Sequence, residues 1–375
     1  MKIDKIDANF APKKLKSEDY EWHEITEEEF SLHGVYFNKE SDCYIRMPVD
    51  IAKQTNEGVF YLNNHTAGGR VRFATNSSHI AFQAAIPTYY PMCHMALTGS
   101  HNFSIYANGK FSSTTQFDPV DFSKSILDRK PTFFFDDVRP LKIDADEKNN
   151  WISTTKDGFR ECEICFPLYG GVRKLLIGVK KGCQIKKAKP YTYTNPVLFY
   201  GSSITQGGCA SHAGADHAGA VSRWLDTDHI NLGFSGSARG EVVMQEYLAS
   251  LSPSVFVLDY DYNAGGVQGL LDTHYPLYEK IRKAHPTTPI IFISKPDFEY
   301  DATSADRRAV IYDTYCKAKQ NGDNLVWFID GETLFGEHGR DDCTVDTCHP
   351  TDLGFSRMAN VIYPVLKEAL EKANA

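Results

Sequence analysis

The sequence contains no long hydrophobic run. None of its segments approaches the ~18 consecutive apolar residues that a membrane-spanning helix needs. Residues 1–10 also lack the apolar segment of a secretory signal, because charged side chains interrupt them throughout. We therefore expect no membrane partner and no secretory leader, and we predict a cytoplasmic location.

The chain is also short of positive charge. It carries 40 Lys and Arg residues against 48 Asp and Glu residues, which gives a formal net charge of −8. A protein that holds nucleic acid through its phosphates needs clustered cations, so this balance argues against a nucleic-acid partner. Residues 180–190 form a basic stretch that ends in proline, and we interpret it as a solvated linker.

Paired metal-ligand motifs and phosphate-binding motifs are missing as well. Cys162 and Cys165 have the spacing of zinc ligands, but no second pair accompanies them and their segment alternates like a strand. Gly207 and Gly208 are not followed by the lysine of a phosphate-binding loop. The nine cysteines are an odd number in a chain too large to need disulfides, so we expect reduced thiols. The sequence predicts no metal site and no cofactor.

Two regions of different character are present instead. In residues 1–190, short alternating patterns indicate β-strands, for example at Val71 and Phe73 and again over residues 80–86. Asn108 and Gly109 follow such a pattern and predict a hairpin turn. With 42% hydrophobic residues in the chain, a sizeable core is available. We predict a β-sandwich over residues 1–190.

In residues 191–375, apolar strand candidates alternate with helical segments. This alternation, with strands that are apolar on both faces, implies a parallel sheet covered by helices on each side. We expect a kink at Pro364 in the last helix. The predicted strands are residues 197–200, 229–232, 255–259, 290–294 and 325–330, and the predicted helices are residues 218–225, 240–248, 277–283, 305–319 and the segment from residue 352.

Four short polar blocks follow the strands or precede the last helix, at residues 201–205, 231–236, 259–264 and 346–350. Ester hydrolysis needs a serine oxygen, a histidine to take its proton, a carboxylate to hold the imidazole, and N–H donors for the oxyanion. Because ligands bind at the carboxyl ends of parallel strands, the four blocks are expected to converge there. Together they contain each required group.

In order and context, the blocks resemble those of the SGNH (GDSL-type) hydrolase superfamily. The resemblance covers residues 195–370 and implies a flavodoxin-like, three-layer α/β/α domain. It implies that Ser203 is the nucleophile, His349 the base and Asp346 its orienting carboxylate. The oxyanion hole would comprise the N–H groups of Ser203 and Gly236 and the side chain of Asn263.

The longer strings over residues 201–211 and 343–355, with residues 98–106, are similar to one branch of bacterial enzymes in this superfamily. That branch has an N-terminal jelly-roll domain and resembles carbohydrate O-acetyl esterases. The resemblance implies a serine esterase that deacetylates oligosaccharides, such as mannan or xylan fragments, through an acyl-enzyme. The alternatives are a lipase or thioesterase acting on another ester, and a carbohydrate-binding protein with an inactive hydrolase domain.

The sequence departs from the family pattern at two positions. Ser202 replaces the usual aspartate before the nucleophile, so Ser202 is an alternative nucleophile, and Ala264 replaces an aspartate after Asn263. Other open alternatives are carboxylates that replace Asp346, imidazoles that line the pocket or bind a metal, and aromatic rings that stack on sugars. We interpret Cys209 and Cys348 as small packing residues. The remaining candidates are Asp341 and Asp342 among the carboxylates, His212 and His217 among the imidazoles, and Tyr89, Tyr90, Trp224 and Trp327 among the rings.

Overall fold

The computed structural model describes residue 6, residues 15–141 and residues 158–374. Its N-terminal part consists of antiparallel sheets, and its C-terminal part is built on a parallel sheet. The strands of the N-terminal part are β1 (Tyr20–Glu24), β2 (Ser31–His33), β3 (Tyr36–Asn38), β4 (Cys43–Ile45), β5 (Arg70–Thr75), β6 (His79–Pro87), β7 (Ser104–Ala107), β8 (Lys110–Thr114), β9 (Thr132–Pro140), β10 (Arg160–Cys165), β11 (Lys174–Lys180) and β12 (Ile185–Lys186).

These strands form the predicted β-sandwich. One sheet has the order β1-β11-β6-β9, and the other has the order β12-β5-β10-β7-β8 with β2 also paired to β5. Side chains from both sheets share one buried cluster, which contains Phe73, Phe82, Ile105 and Ile177. Alternate residues of each strand face this cluster, which is the pattern visible in the sequence. The narrower jelly-roll assignment stays a prediction from the family resemblance.

The turn between β7 and β8 is the predicted hairpin. Asn108 and Gly109 have φ values of 48° and 75°, as a two-residue turn with left-handed residues requires. The sandwich also carries short helices that its strand patterns do not predict, because a helix of one or two turns is too short to show a period. They are α1 (Val49–Thr55), α2 (Glu57–Leu62), α3 (Leu97–Ser100) and α4 (Pro119–Leu127).

The C-terminal sheet contains five parallel strands, β13 (Tyr193–Gly201), β14 (Thr227–Gly233), β15 (Val255–Asp259), β16 (Ile290–Ile293) and β17 (Val326–Ile329). Their order is β14-β13-β15-β16-β17, the flavodoxin-like order that the resemblance implies. Each lies within a few residues of its predicted position. The chain adds β14 on one side of β13 and then β15, β16 and β17 on the other side, so the strand order reverses at β13. Open α/β sheets bind ligands at such a reversal point.

Helices cover both faces of this sheet. They are α5 (Ser203–Gln206), α6 (His217–Leu225), α7 (Val242–Ser250), α8 (Gly266–Ala284), α9 (Ser304–Gln320) and α10 (Asp352–Ala373). Leu198 and Phe256 pack with α7, α8 and α9 on one face, while Phe199 and Val257 pack with α6 and α10 on the other. Helix α8 begins eleven residues before the prediction and passes through Pro276, and α10 likewise runs on past Pro364.

Buried cations join the sandwich to the parallel sheet. The Arg46 guanidinium donates to the carbonyls of Asn231 and Gly233, at the end of β14. Arg70 pairs with Asp228, at the start of the same strand. Both arginines are almost fully buried, so the sandwich is held against the edge strand of the parallel sheet. The segment near residue 190, where we predict a domain boundary, runs between β12 and β13. No described helix is long and apolar enough to cross a membrane.

Candidate active site

Ser203 begins helix α5, with one residue between it and Gly201, where strand β13 ends. The preceding residue, Ser202, is fully buried, and its hydroxyl accepts a hydrogen bond of 3.2 Å from the N–H of Ile204. Ser202 therefore caps the helix, whereas Ser203 presents its hydroxyl to the edge of the sheet. Gly201 makes this tight turn possible, because a Cβ atom there would lie 2.0 Å from the Thr205 hydroxyl.

The structure brings Ser203, His349 and Asp346 together. The Nε2 atom of His349 lies 2.9 Å from the Ser203 hydroxyl oxygen, and its Nδ1 atom lies 2.7 Å from Asp346 Oδ2. The other carboxylate oxygen of Asp346 accepts the backbone N–H groups of Cys348 and His349, at 3.1 and 2.7 Å. The carboxylate thus orders the loop and the imidazole at once.

The pKa of Asp346 reflects these contacts. Partial burial raises the pKa of this carboxyl, but the hydrogen bonds from the His349 ring and backbone outweigh burial and hold the pKa below its usual value. Asp346 is therefore ionised at neutral pH. A carboxylate at Nδ1 favours the tautomer in which Nδ1 carries the proton and Nε2 is left as an acceptor facing Ser203.

Three polar groups that follow strand ends have no hydrogen-bond partner among the described residues. These are the N–H of Ser203, the N–H of Gly236 and the side chain of Asn263. Gly236 has φ of 67°, and a Cβ atom there would meet nothing within 4 Å, so this backbone faces open space. All three follow the carboxyl ends of neighbouring strands, as the sequence comparison with the SGNH pattern expects.

A buried carboxyl supports the floor of the site. Asp259, at the end of β15, accepts a hydrogen bond of 3.0 Å from Thr205 and lies 3.8 Å from His217 Nε2. Burial raises the pKa of Asp259 to about 8, although the Thr205 hydrogen bond acts in the opposite direction. Burial also lowers the pKa of His217 to about 4. Both groups are therefore neutral at pH 7.

The other candidates from the sequence lie elsewhere. Asp341 and Asp342 make no contact with His349, and His212 packs on Phe111. Trp224 packs on Tyr363, and Trp327 lies under Lys372, so neither ring faces the site. Tyr89 and Tyr90 do line a cleft beside it.

That cleft has a volume of about 350 Å³ and is mostly aromatic. Its wall includes Tyr169, whose hydroxyl donates a hydrogen bond of 3.2 Å to the Ser203 carbonyl. It also includes Ser235 and Ser237, on either side of Gly236. The sandwich contributes most of the other residues, which the sequence did not single out apart from Tyr89 and Tyr90. No local signal marks them, because segments far apart in the chain meet only after folding. They include Tyr61, His65, Met92 and His101.

Cys162 and Cys165 are not placed to bind one metal ion. Both are buried in β10, where residues three apart point to opposite faces of the sheet. Among the described residues, the groups close enough to share a metal ion are those of His94, Cys209 and His349. The packing interpretation of Cys209 is therefore incomplete, since its thiol also lies beside the imidazole of His349.

Comparisons with known proteins agree with this fold. Residues 194–367 match the model of the GDSL-like lipase/acylhydrolase family, and residues 20–185 match a model described as the N-terminus of SGNH-hydrolase-type esterases. No curated protein sequence matches the chain significantly.

Solved structures share the whole architecture at low sequence identity. A protein from Bacteroides ovatus ATCC 8483, described as a GDSL-like lipase, is 23% identical with a TM-score of 0.77 over 94% of this chain and 98% of that one. A salicylyl acyltransferase from a tetracycline biosynthetic pathway is 17% identical with a TM-score of 0.71 over 93% and 97%. An acetyl xylan esterase from Butyrivibrio proteoclasticus is 15% identical with a TM-score of 0.54 over 94% and 99%.

The two family models account for both parts of the fold, and the solved structures share that two-part arrangement. The chain therefore belongs to the SGNH (GDSL-type) hydrolase superfamily, with a GDSL-like lipase/acylhydrolase domain preceded by an SGNH-esterase N-terminal domain.

Proposed function

We propose that this protein is a serine ester hydrolase that removes O-acetyl groups from oligosaccharides. The observation that carries the proposal is the continuous hydrogen-bonded series from Ser203 through His349 to Asp346, at 2.9 and 2.7 Å. The N–H of Ser203 has no partner among the described residues, and an aromatic cleft adjoins Ser203 through Tyr169, whose hydroxyl donates to the Ser203 carbonyl.

In the proposed reaction, His349 takes the proton of the Ser203 hydroxyl as its oxygen attacks the acetyl carbonyl. The tetrahedral oxyanion receives hydrogen bonds from the N–H groups of Ser203 and Gly236 and from the Asn263 amide. His349 then passes its proton to the sugar oxygen, which leaves as an alcohol. Water attacks the acetyl-serine by the same route and releases acetate. Asp346 stabilises the imidazolium at each step.

The cleft supports a carbohydrate leaving group. Tyr90 and Tyr61 are 77% and 53% exposed, so their ring faces remain open to a ligand. A sugar ring offers C–H faces to such rings and hydroxyls to the polar groups around them. Because Tyr61, Tyr89 and Tyr90 belong to the sandwich, the N-terminal domain would supply much of this binding surface.

The acetyl part of the proposal is supported by the likeness to the acetyl xylan esterase, because the cleft is assigned to the sugar. All nine cysteines carry free thiols, which suits the proposed reducing, cytoplasmic location.

The first test is hydrolysis of a chromogenic acetyl ester. Ser203→Ala should lower kcat by about 10³-fold or more, because the nucleophile is gone. Ser202→Ala is the matched control: it should lose about 1 kcal/mol of stability with the helix cap, yet keep activity within ~10-fold. Activity that survives in Ser203→Ala but disappears in a folded Ser202→Ala would reassign the nucleophile.

A second test addresses the substrate. With acetylated xylan and mannan fragments, Tyr90→Ala should raise KM about 3- to 10-fold, as expected for a lost aromatic contact, and leave the chromogenic acetate unaffected. Trp224→Ala, at an exposed ring away from the cleft, is the control. Faster turnover of octanoyl than acetyl esters would favour a lipase. Sugar binding by an inert wild type would favour the binding-protein alternative.

A further inference from the structure

Three potential metal ligands meet at the proposed base. The nearest ligand atoms of His94, Cys209 and His349 all lie within 4.8 Å of one another. The two imidazole rings are 5.6 Å apart between centroids. Cys209 has φ of 75°, and this left-handed turn brings its thiol to the side of the site where His349 lies. The three residues come from the sandwich, the loop after α5 and the loop before α10.

We propose that His94, Cys209 and His349 form an inhibitory site for a divalent transition-metal ion, with Zn²⁺ as the favoured occupant. Bound metal would take the Nε2 lone pair of His349, which otherwise accepts the proton of Ser203 at 2.9 Å. The consequence for activity rests on the proposed function, whereas metal binding itself does not.

The donor set suits zinc. Two imidazole nitrogens and one thiolate sulfur leave a fourth, open position for water, as in zinc sites with three protein ligands. In a tetrahedral site, bond lengths of about 2.0–2.3 Å separate the ligand atoms by about 3.4–3.6 Å. The present spacing therefore has to close by roughly 1 Å. His94 is exposed and can turn inwards, while Cys209 is held in the core.

The second contact of His349 also fits a metal ligand. Histidines that bind metals usually donate their other ring N–H to a carboxylate, which fixes the tautomer and strengthens the metal-bound nitrogen. The Nδ1 atom of His349 already lies 2.7 Å from Asp346 Oδ2. The arrangement that makes His349 a base towards Ser203 thus equally prepares it to bind a cation.

Metal binding must release a proton. Zinc binds the thiolate form of cysteine, so the Cys209 sulfur forms a bond to Zn²⁺ as its S–H bond breaks, and the proton passes to solvent. Because binding releases this proton, affinity should rise with pH.

Cobalt(II) titration of the full-length protein tests the site without reference to activity. We expect one Co²⁺ per chain and a thiolate-to-metal charge-transfer band. Cys209→Ser should abolish this band, and His94→Gln should weaken binding at least tenfold. Cys93→Ser is the matched control, because Cys93 lies 4.0 Å from His94 Nδ1 but outside the cluster. A band that vanishes in Cys93→Ser and persists in Cys209→Ser would overturn the assignment, as would no band at all.

The inhibition is measured separately with Zn²⁺ on chromogenic acetate hydrolysis. EDTA should restore the rate, and His94→Gln should raise the half-inhibiting Zn²⁺ concentration at least tenfold while the metal-free kcat stays within about twofold. His94 is exposed, so this variant keeps the test decisive if Cys209→Ser is unstable. An inactive wild type that still shows the cobalt band would refute the proposed function and leave the metal site standing. Equal inhibition of His94→Gln and wild type would refute the site as the cause of inhibition.

Discussion

Replacing Asp346 with asparagine separates orientation of the base from stability of the loop. In Asp346→Asn, the amide oxygen can still accept the backbone N–H groups of Cys348 and His349, which now bond to Oδ1. The amide nitrogen would then face His349 Nδ1, where it can only donate. The imidazole is forced to carry its proton on Nε2, so it no longer accepts a proton from Ser203.

The expected magnitudes differ sharply between activity and stability. The side chains of Asp346 and His349 are 35% and 22% exposed, and a solvent-screened pair of this kind contributes less than ~1 kcal/mol to folding. The wrong tautomer, by contrast, removes the base, and we expect kcat to fall about 10³- to 10⁴-fold. At 1.36 kcal/mol per decade, this is roughly 4–5 kcal/mol of transition-state stabilisation.

The assay is steady-state hydrolysis of a chromogenic acetate, with thermal unfolding measured in parallel. Asp341→Asn is the matched control, because Asp341 is an exposed carboxylate of the same loop region without a contact to His349. It should leave kcat unchanged. If Asp346→Asn keeps kcat within tenfold of wild type while remaining folded, the reasoning about the tautomer is wrong.

Two further predictions concern the oxyanion donors and the buried carboxyl. Asn263→Ala should lower kcat about 10²- to 10³-fold with little change in KM, because the Asn263 amide would act on the oxyanion alone. The melting temperature of this variant should hardly change. An unaffected kcat would remove Asn263 from the oxyanion hole. Asp259→Asn should become more stable relative to wild type as the pH rises from about 4 to 8. The folded pKa of about 8 lies above the unfolded value, so wild type loses stability over that window, on the order of 4 kcal/mol by pH 7. Urea unfolding at pH 5 and pH 8 measures the difference, and a gap that does not widen with pH would mean that Asp259 is not held neutral.

Local sequence patterns were sufficient to predict the strands of the parallel sheet, because these strands are buried on both faces and are therefore apolar throughout. β15 occupies the predicted residues, and β14 extends the predicted strand by two residues at its start and one at its end. Helix α8 was predicted too short, because Gly266, Gly269 and Pro276 weaken the helical pattern over its first half. Tertiary packing of Leu270 and Leu277 against the sheet outweighs these preferences.

The chemistry-bearing residues could be proposed from the sequence because their roles depend on residue type and on strand-end position. Ser203, His349 and Asp346 each sit in a short block whose composition is itself informative. The cleft residues Tyr61 and Tyr169 carry no such signal. A tyrosine in a core and a tyrosine in a cleft look alike along the chain, and only burial tells them apart.

The sequence by itself determined the alternation of strands and helices in residues 191–375 and the chemical groups available at the sheet edge, because periodicity and residue type are local properties. Only the tertiary structure decided that Ser203 rather than Ser202 faces His349, and that His94 and Cys209 gather around the same imidazole. Those outcomes depend on distances between segments more than a hundred residues apart. The Ser203–His349 distance follows from folding of the parallel-sheet domain, and the position of His94 follows from packing of the sandwich against that domain; no local pattern encodes either.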